Sequence, residues 1–258
     1  MKEPTLSSLI IGPSGHGKSW FGSTTPPPRL ILDLEGRAKY TPNGKDATLW
    51  DGRTPPMSLP RSPSRTYIVD LTEDIGALDL IHQWLRSGEH PFKSVTVDSL
   101  MEVQYQAAQS VVPGTKAFRT QDWGTLLREM EAFVRKMTDL LKYPSTKVRC
   151  MVFIAGCITR DGYQKPLMQG QITTKVPYWM DLVGYMEKVR MEGSGKTQRR
   201  LWIDQRPEND LEVKDGTDAI ISAHGACIVL GERGEEPTFE TLYDALVAAQ
   251  KKETADGK

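Results

Sequence analysis

The sequence predicts an α/β domain with a mostly parallel, twisted sheet, helices on its faces and a late β-hairpin. Three observations carry that reading. Short apolar runs bounded by turn residues alternate with stretches of helical apolar spacing, the pattern of βαβ crossovers. Between the first run and the first helical stretch lies Gly12-Pro-Ser-Gly-His-Gly-Lys18-Ser19, which fits GxxxxGK[ST] at each fixed position. Two further runs, 182–192 and 198–205, flank Gly193-Ser-Gly195-Lys196, a hairpin turn signal.

The 258 residues suffice for one core domain, taken as 1–250, with a polar tail at 251–258. Lys and Arg number 33 and so do Asp and Glu, which excludes a global electrostatic pull toward nucleic acid or membrane. Charge is uneven along the chain, however. Residues 150–206 carry nine Lys/Arg against five Asp/Glu, and 207–258 carry five against twelve. This fits an anionic ligand at the former or ordinary surface charge. Cys150, Cys157 and Cys227 lack metal-ligand spacing and read as reduced thiols of a cytosolic protein. With no charged-then-apolar leader and no apolar run near the ~20 residues of a membrane span, the expected location is the cytoplasm, with no membrane partner.

In order along the chain, Leu6, Leu9, Ile10 and Ile11 read as a buried strand running into the glycine-rich loop. The glycines let backbone N–H groups close on an anion, and the helix that starts at Lys18 adds its positive dipole end. Residues Gly12, Pro13, Ser14, Gly15, His16, Gly17, Lys18, Ser19 and Trp20 are therefore the expected nucleotide cradle. Lys18 would reach the β- and γ-phosphates and the Ser19 hydroxyl would bind Mg²⁺; the alternative is a glycine-rich turn without nucleotide. Pro26-Pro27-Pro28 closes the helix. The segment 29–36, RLILDLEG, reads as a second strand with Asp33 and Glu35 on one side of its C-terminal end, where α/β sheets bind ligands. Were it beside the first strand, Glu35 could deprotonate the attacking water; otherwise it caps a turn.

Residues 41–65, rich in Pro and Arg, read as an exposed excursion. A third strand at 66–70 and an amphipathic helix ending near Gly88 follow. Ser94-Val-Thr-Val-Asp98 is an apolar strand ending in Asp, the form of a Walker B carboxylate that holds Mg²⁺ opposite Ser19. A loop spans 111–121, and Asp122 is placed to cap the helix whose apolar face runs from Leu126 to Leu141. Strand 151–155 leads into 156–177, a polar, basic loop. The segment 212–216 and an amphipathic helix at 239–249 complete the chain.

With these pieces placed, the chain resembles the RecA-like P-loop ATPases of bacteriophages, in particular the phage nucleotide-binding proteins that include RecA-type single-strand annealing recombinases. The resemblance rests on GPSGHGKS, the proline-closed first helix, LILDLEG, TVDS at Asp98, the Gln121-Asp122-Trp123 helix start, the basic loop after FIAG, and the hairpin followed by VKDG. It covers 6 to about 246. RecA-like ATPases carry their catalytic carboxylate on the strand after the P-loop, which implies Glu35 as general base; Ser99 follows Asp98 where many other NTPases have that acid. The loop 159–175 matches a DNA-contacting loop, which implies that Arg160, Lys165 and Lys175 meet phosphates, Gln164, Gln169 or Gln171 add contacts, and Tyr163 stacks on a base. A solvated or subunit-interface loop is the alternative. Related helicases place a Lys-x-Arg pair at a neighbour's γ-phosphate. Here Lys214 matches the Lys and Gly216 stands at the Arg position, leaving Lys214 or Arg206 to act in trans, or Lys214 to pair with Asp215 or Glu212.

The resulting expectation is an ATP- and Mg²⁺-dependent ATPase, slow and stimulated by DNA or oligomerisation. It would form a homo-oligomer, bind single-stranded DNA with a single-strand-binding protein, and serve phage recombination in the host cytoplasm. Rival readings are a small-molecule kinase with Arg53, Arg61 and Arg65 in a lid, a packaging or helicase-type motor subunit, and a non-hydrolysing assembly module.

Overall fold

Period-two alternation in the first strand, β1 (Leu6–Ile11), sets the layering. Leu9 and Ile11 enter one apolar core while Leu6 and Ile10 enter the other, so both faces of the sheet must be covered. The computed structural model describes residues 3–114, 116–191, 196–204, 210–211, 213–230 and 237–256. Among them a ten-stranded mixed sheet runs through the middle.

Beside β1 lies β6 (Cys150–Ala155), then β5 (Ser94–Asp98), β2 (Arg29–Asp33), β4 (Thr66–Asp70) and the short edge strand β3 (Thr48–Leu49), all parallel. On the other side β9 (Leu182–Arg190) runs parallel to β1. Its partner β10 (Thr197–Trp202) is antiparallel, as is β13 (Cys227–Leu230) to β10. The two-residue β12 (Lys214–Asp215) also pairs with β9. The expected hairpin is thus formed by β9 and β10, while its turn residues Gly193–Gly195 lie outside the described residues.

Helices α2 (Ala77–Ser87), α3 (Leu100–Val111), α4 (Thr120–Asp139) and α5 (Ile172–Tyr178) cover one face, burying Ile81, Val103, Met130 and Val176. The short α1 (Lys18–Gly22), α6 (Ala219–His224) and α7 (Phe239–Asp256) cover the other through Phe21, Ile220, Phe239 and Tyr243. This is a RecA-like P-loop fold: a mostly parallel sheet between helical layers, with antiparallel late strands.

Several elements differ from expectation. The strand expected over 29–36 ends at Asp33, because the Asp33 carboxylate accepts the Arg37 and Ala38 N–H groups at 3.1 and 2.8 Å and turns the chain. Asp33 and Glu35 therefore do not share a strand face. Nor does β2 adjoin β1, since β6 and β5 stand between them. The excursion 41–65 is pinned at its centre: Trp50 is buried against Phe92 and its indole N–H reaches the Thr54 carbonyl. Asp122 sits at the third helical position of α4 and accepts the Arg119 N–H, completing a capping box from inside the helix. The expected loop 156–177 is ordered as a hairpin, β7 (Cys157–Arg160) and β8 (Tyr163–Pro166), followed by α5. With β11 (Asp210–Leu211) the hairpin makes a second, three-stranded sheet. Its two short strands, CITR and YQKP, carry no apolar–polar alternation, which hides the strand pattern from an apolar-periodicity reading.

Candidate nucleotide-binding and hydrolysis site

Parallel register brings the C-terminal ends of four strands to one edge. Ile11 lies opposite Ala155, Ile154 opposite Asp98, and Asp98 opposite Asp33. A cavity of about 360 Å³ opens there, lined by the glycine-rich loop, Glu35, Arg37, Asp98, Ser99, Cys157 and Arg199 among others. Ligands of open α/β sheets bind at this edge.

The loop is shaped by what it must avoid. Gly12 has φ +153°, and a Cβ there would stand 2.3 Å from the Met186 carbonyl oxygen of β9. Gly17 precedes α1 in the left-handed region at φ +102°. The Lys188 N–H donates to His16 Nδ1 at 3.1 Å, a second tie to β9. Lys18 Nζ folds back onto the Pro13 carbonyl at 2.8 Å. Burial draws its ammonium below the ordinary lysine value, opposed by the Asp98 and Glu35 carboxylates.

Asp98 is the most constrained group of the site. It is 3 % exposed, lies beside the Ser19 hydroxyl in the cavity, and keeps Oδ1 buried without a hydrogen-bond partner. Burial pushes its carboxyl up to about 6, with Glu35 and Asp33 adding to the rise. An orphaned buried carboxylate oxygen beside a serine hydroxyl is a hard-oxygen pair suited to Mg²⁺, which fills its other positions with water and phosphate oxygens. The residues therefore fit the cation. Among the described residues, no cluster of three or more His, Cys, Asp or Glu could hold a metal by itself.

Glu35 is half-buried at the same cavity, and Ser99 Oγ donates to its Oε1 at 2.7 Å. β2 lies between β4 and the Asp98 strand β5, not beside β1, and Glu35 reaches the site across β5.

Lys214 lies away from this cavity, its Nζ 3.4 Å from the Tyr178 carbonyl. Gly216 donates its N–H to the Asp181 carbonyl at 2.7 Å. Arg206 and Glu212 are outside the described residues. Arg160 and Tyr163 are exposed at the tip of the β7–β8 hairpin. Lys165 is largely covered, paired with Asp161 at 3.6 Å and 5.7 Å above the Tyr163 ring. Lys175 is on α5 and pairs with Glu131 of α4. The Gln169 N–H and carbonyl are bracketed by the Gln104 amide, at 2.8 and 3.2 Å.

Sequence reasoning missed Ser99, Arg37 and Arg199 as members of the site. No local signal marks Arg199, because its place depends on the register in which β9 pairs with β1 only as far as Tyr185 and runs on beyond it.

Fold and site together define a P-loop nucleoside triphosphatase. The chain belongs to the AAA domain family: the family model AAA_24 matches residues 5–211. No curated protein matches the sequence. Among solved structures it is similar to a KaiC-like protein of the hyperthermophilic archaeon Pyrococcus horikoshii. That match has 14% identity and a TM-score of 0.44, and it covers 88% of this chain and 89% of the other. No helix among the described residues is long and apolar enough to cross a membrane.

Proposed function

We propose that the chain is a Mg²⁺-dependent ATPase with Glu35 as general base, acting as a homo-oligomer on single-stranded DNA in phage recombination. The observation that carries the reading is the convergence of Lys18, Ser19, Asp98 and Glu35 on one cavity, with Ser99 holding the Glu35 carboxylate.

The loop N–H groups and the α1 N-terminus would hold the β-phosphate region, and Lys18 would leave the Pro13 carbonyl for phosphate oxygens. Ser19 and Asp98 would hold Mg²⁺, which when bound neutralises charge on the phosphates. Water attacks the γ-phosphorus and its proton passes to Glu35, whose Oε2 stays available while Ser99 occupies Oε1. The P–O bond to the β-phosphate breaks and ADP leaves with the electron pair.

The DNA role is supported by the β7–β8 hairpin and the phage resemblance of the motif order. The hairpin starts directly from the cavity wall at Cys157, returns to it at Leu167, and presents Arg160 and Tyr163 to solvent. Nucleotide occupancy can therefore bear on the hairpin through one strand. Fluorescence anisotropy with a labelled oligonucleotide tests this. Salt-sensitive binding strengthened by a nonhydrolysable ATP analogue is expected; no binding at low salt rules the DNA role out.

A second reading, a nucleotide-dependent assembly module that does not hydrolyse, is favoured by Gly216, which has no side chain to offer a neighbour's γ-phosphate. Phosphate release that stays at background with and without single-stranded DNA would select it.

A further inference from the structure

We infer that Arg199 is a nucleotide-binding residue supplied in cis, its guanidinium gripping the α/β-phosphate region from the β10 side of the glycine-rich loop. This rests on the ATP-binding reading of the same site.

The placement follows from strand geometry. Alternation along β10 sends Arg199 to the same face as Leu201, and Leu201 packs with Phe21 of α1 and Phe239 of α7. Arg200 and Trp202 point the opposite way, where the Trp202 indole N–H donates to Glu187 at 2.8 Å. β1 pairs with β9 only as far as Tyr185, so the rest of β9 overruns the ligand edge and carries β10 with it. This overrun walls the loop: Met186 backs Gly12, Lys188 holds His16, and Arg199 lies opposite Lys188 in register. A Cβ on Gly17 would stand 2.9 Å from Arg199 Nε and 3.0 Å from its Cδ.

The electrostatics then ask for an anion. Arg199 lines the nucleotide cavity, is half-buried, and makes no salt bridge among the described residues. A guanidinium held in no direct ion pair at the wall of the cavity, beside the loop that also carries Lys18, keeps its donors free for an anionic ligand. Its planar fork of donors matches phosphate oxygens in bidentate fashion. Because it lies against Gly17, in the part of the loop that cradles the α- and β-phosphates, it serves ADP as well as ATP. Glu35 and Asp98 occupy the same cavity as the hydrolytic and cation-holding groups, so Arg199 contributes binding rather than chemistry.

Titration of wild type, Arg199→Ala and Arg199→Lys with fluorescent ATP and ADP, alongside steady-state hydrolysis, tests the assignment. Arg199→Ala should weaken ATP and ADP alike by about tenfold and raise KM, with kcat little changed. Arg199→Lys should recover part of the loss, and the ligand-free melting temperature should hold. Undiminished ATP and ADP binding by Arg199→Ala, or a loss confined to kcat, overturns this assignment alone. Failure of the wild-type chain to bind ATP overturns the nucleotide reading and this assignment with it.

Discussion

Ser99 Oγ donates a 2.7 Å hydrogen bond to Oε1 of Glu35, joining the ends of β5 and β2 across the nucleotide cavity. The hydroxyl fixes the carboxylate's orientation and leaves one oxygen for a water proton. Glu35→Gln should reduce turnover by at least about a hundredfold while ATP still binds, since the amide cannot accept the proton. Ser99→Ala should lower kcat by about five- to tenfold with KM nearly unchanged, the signature of a positioning group. Single-turnover phosphate release measures both. Equal rates in wild type and Glu35→Gln would remove Glu35 as the base.

The nucleotide site was largely legible in the sequence because its parts are local. Gly12 to Ser19 forms one loop, Asp98 ends an apolar strand, and Glu35 follows another. What the sequence hid were relations across strands. The order β1-β6-β5-β2 is set by packing over both sheet faces, so no local signal says that Glu35 reaches the site beside Asp98. Arg199 was invisible for the same reason, since its meaning depends on how far β9 overruns β1. The β7–β8 hairpin was missed because its four-residue strands, CITR and YQKP, lack the apolar alternation that marks a strand.

Asp98 combines a cost and a use. Its carboxyl is lifted to about 6 chiefly by burial, so the folded state holds its proton more tightly than the unfolded chain does. The stabilising contribution is full below the ordinary carboxylate value and is lost as pH rises through about 6. At pH 8 the ionised, cation-free carboxylate then costs roughly 3 kcal/mol, at about 1.4 kcal/mol per pH unit. In EDTA at pH 8, Asp98→Asn should melt about 5 °C or more above wild type, a gap that shrinks at pH 5. Adding Mg²⁺ and ATP should raise the wild-type melting temperature more than the variant's, which keeps the loop and Lys18 but lacks the cation-holding carboxylate. A variant that melts at or below wild type in EDTA would contradict the burial cost.

His90 supplies an acid-sensitive point far from the nucleotide. It is fully buried beside Phe92, whose N–H donates to Nδ1 at 3.0 Å, while Nε2 faces the Leu85 carbonyl at 3.1 Å. Those partners select the neutral ring with its proton on Nε2, because a proton on Nδ1 would point at the Phe92 N–H. Burial brings the imidazole down to about 4. A base depressed on folding contributes stability that is full above its ordinary value near 6.5 and is lost as pH falls toward 4. Between pH 7 and pH 5 this one residue should remove about 2 kcal/mol of folding stability. His90→Gln lacks the titrating ring, so it should be less stable than wild type at pH 7 through lost packing against Phe92. Its urea midpoint should nevertheless fall less steeply from pH 7 to pH 5. The two profiles running parallel over that range would show that His90 does not set the acid limb.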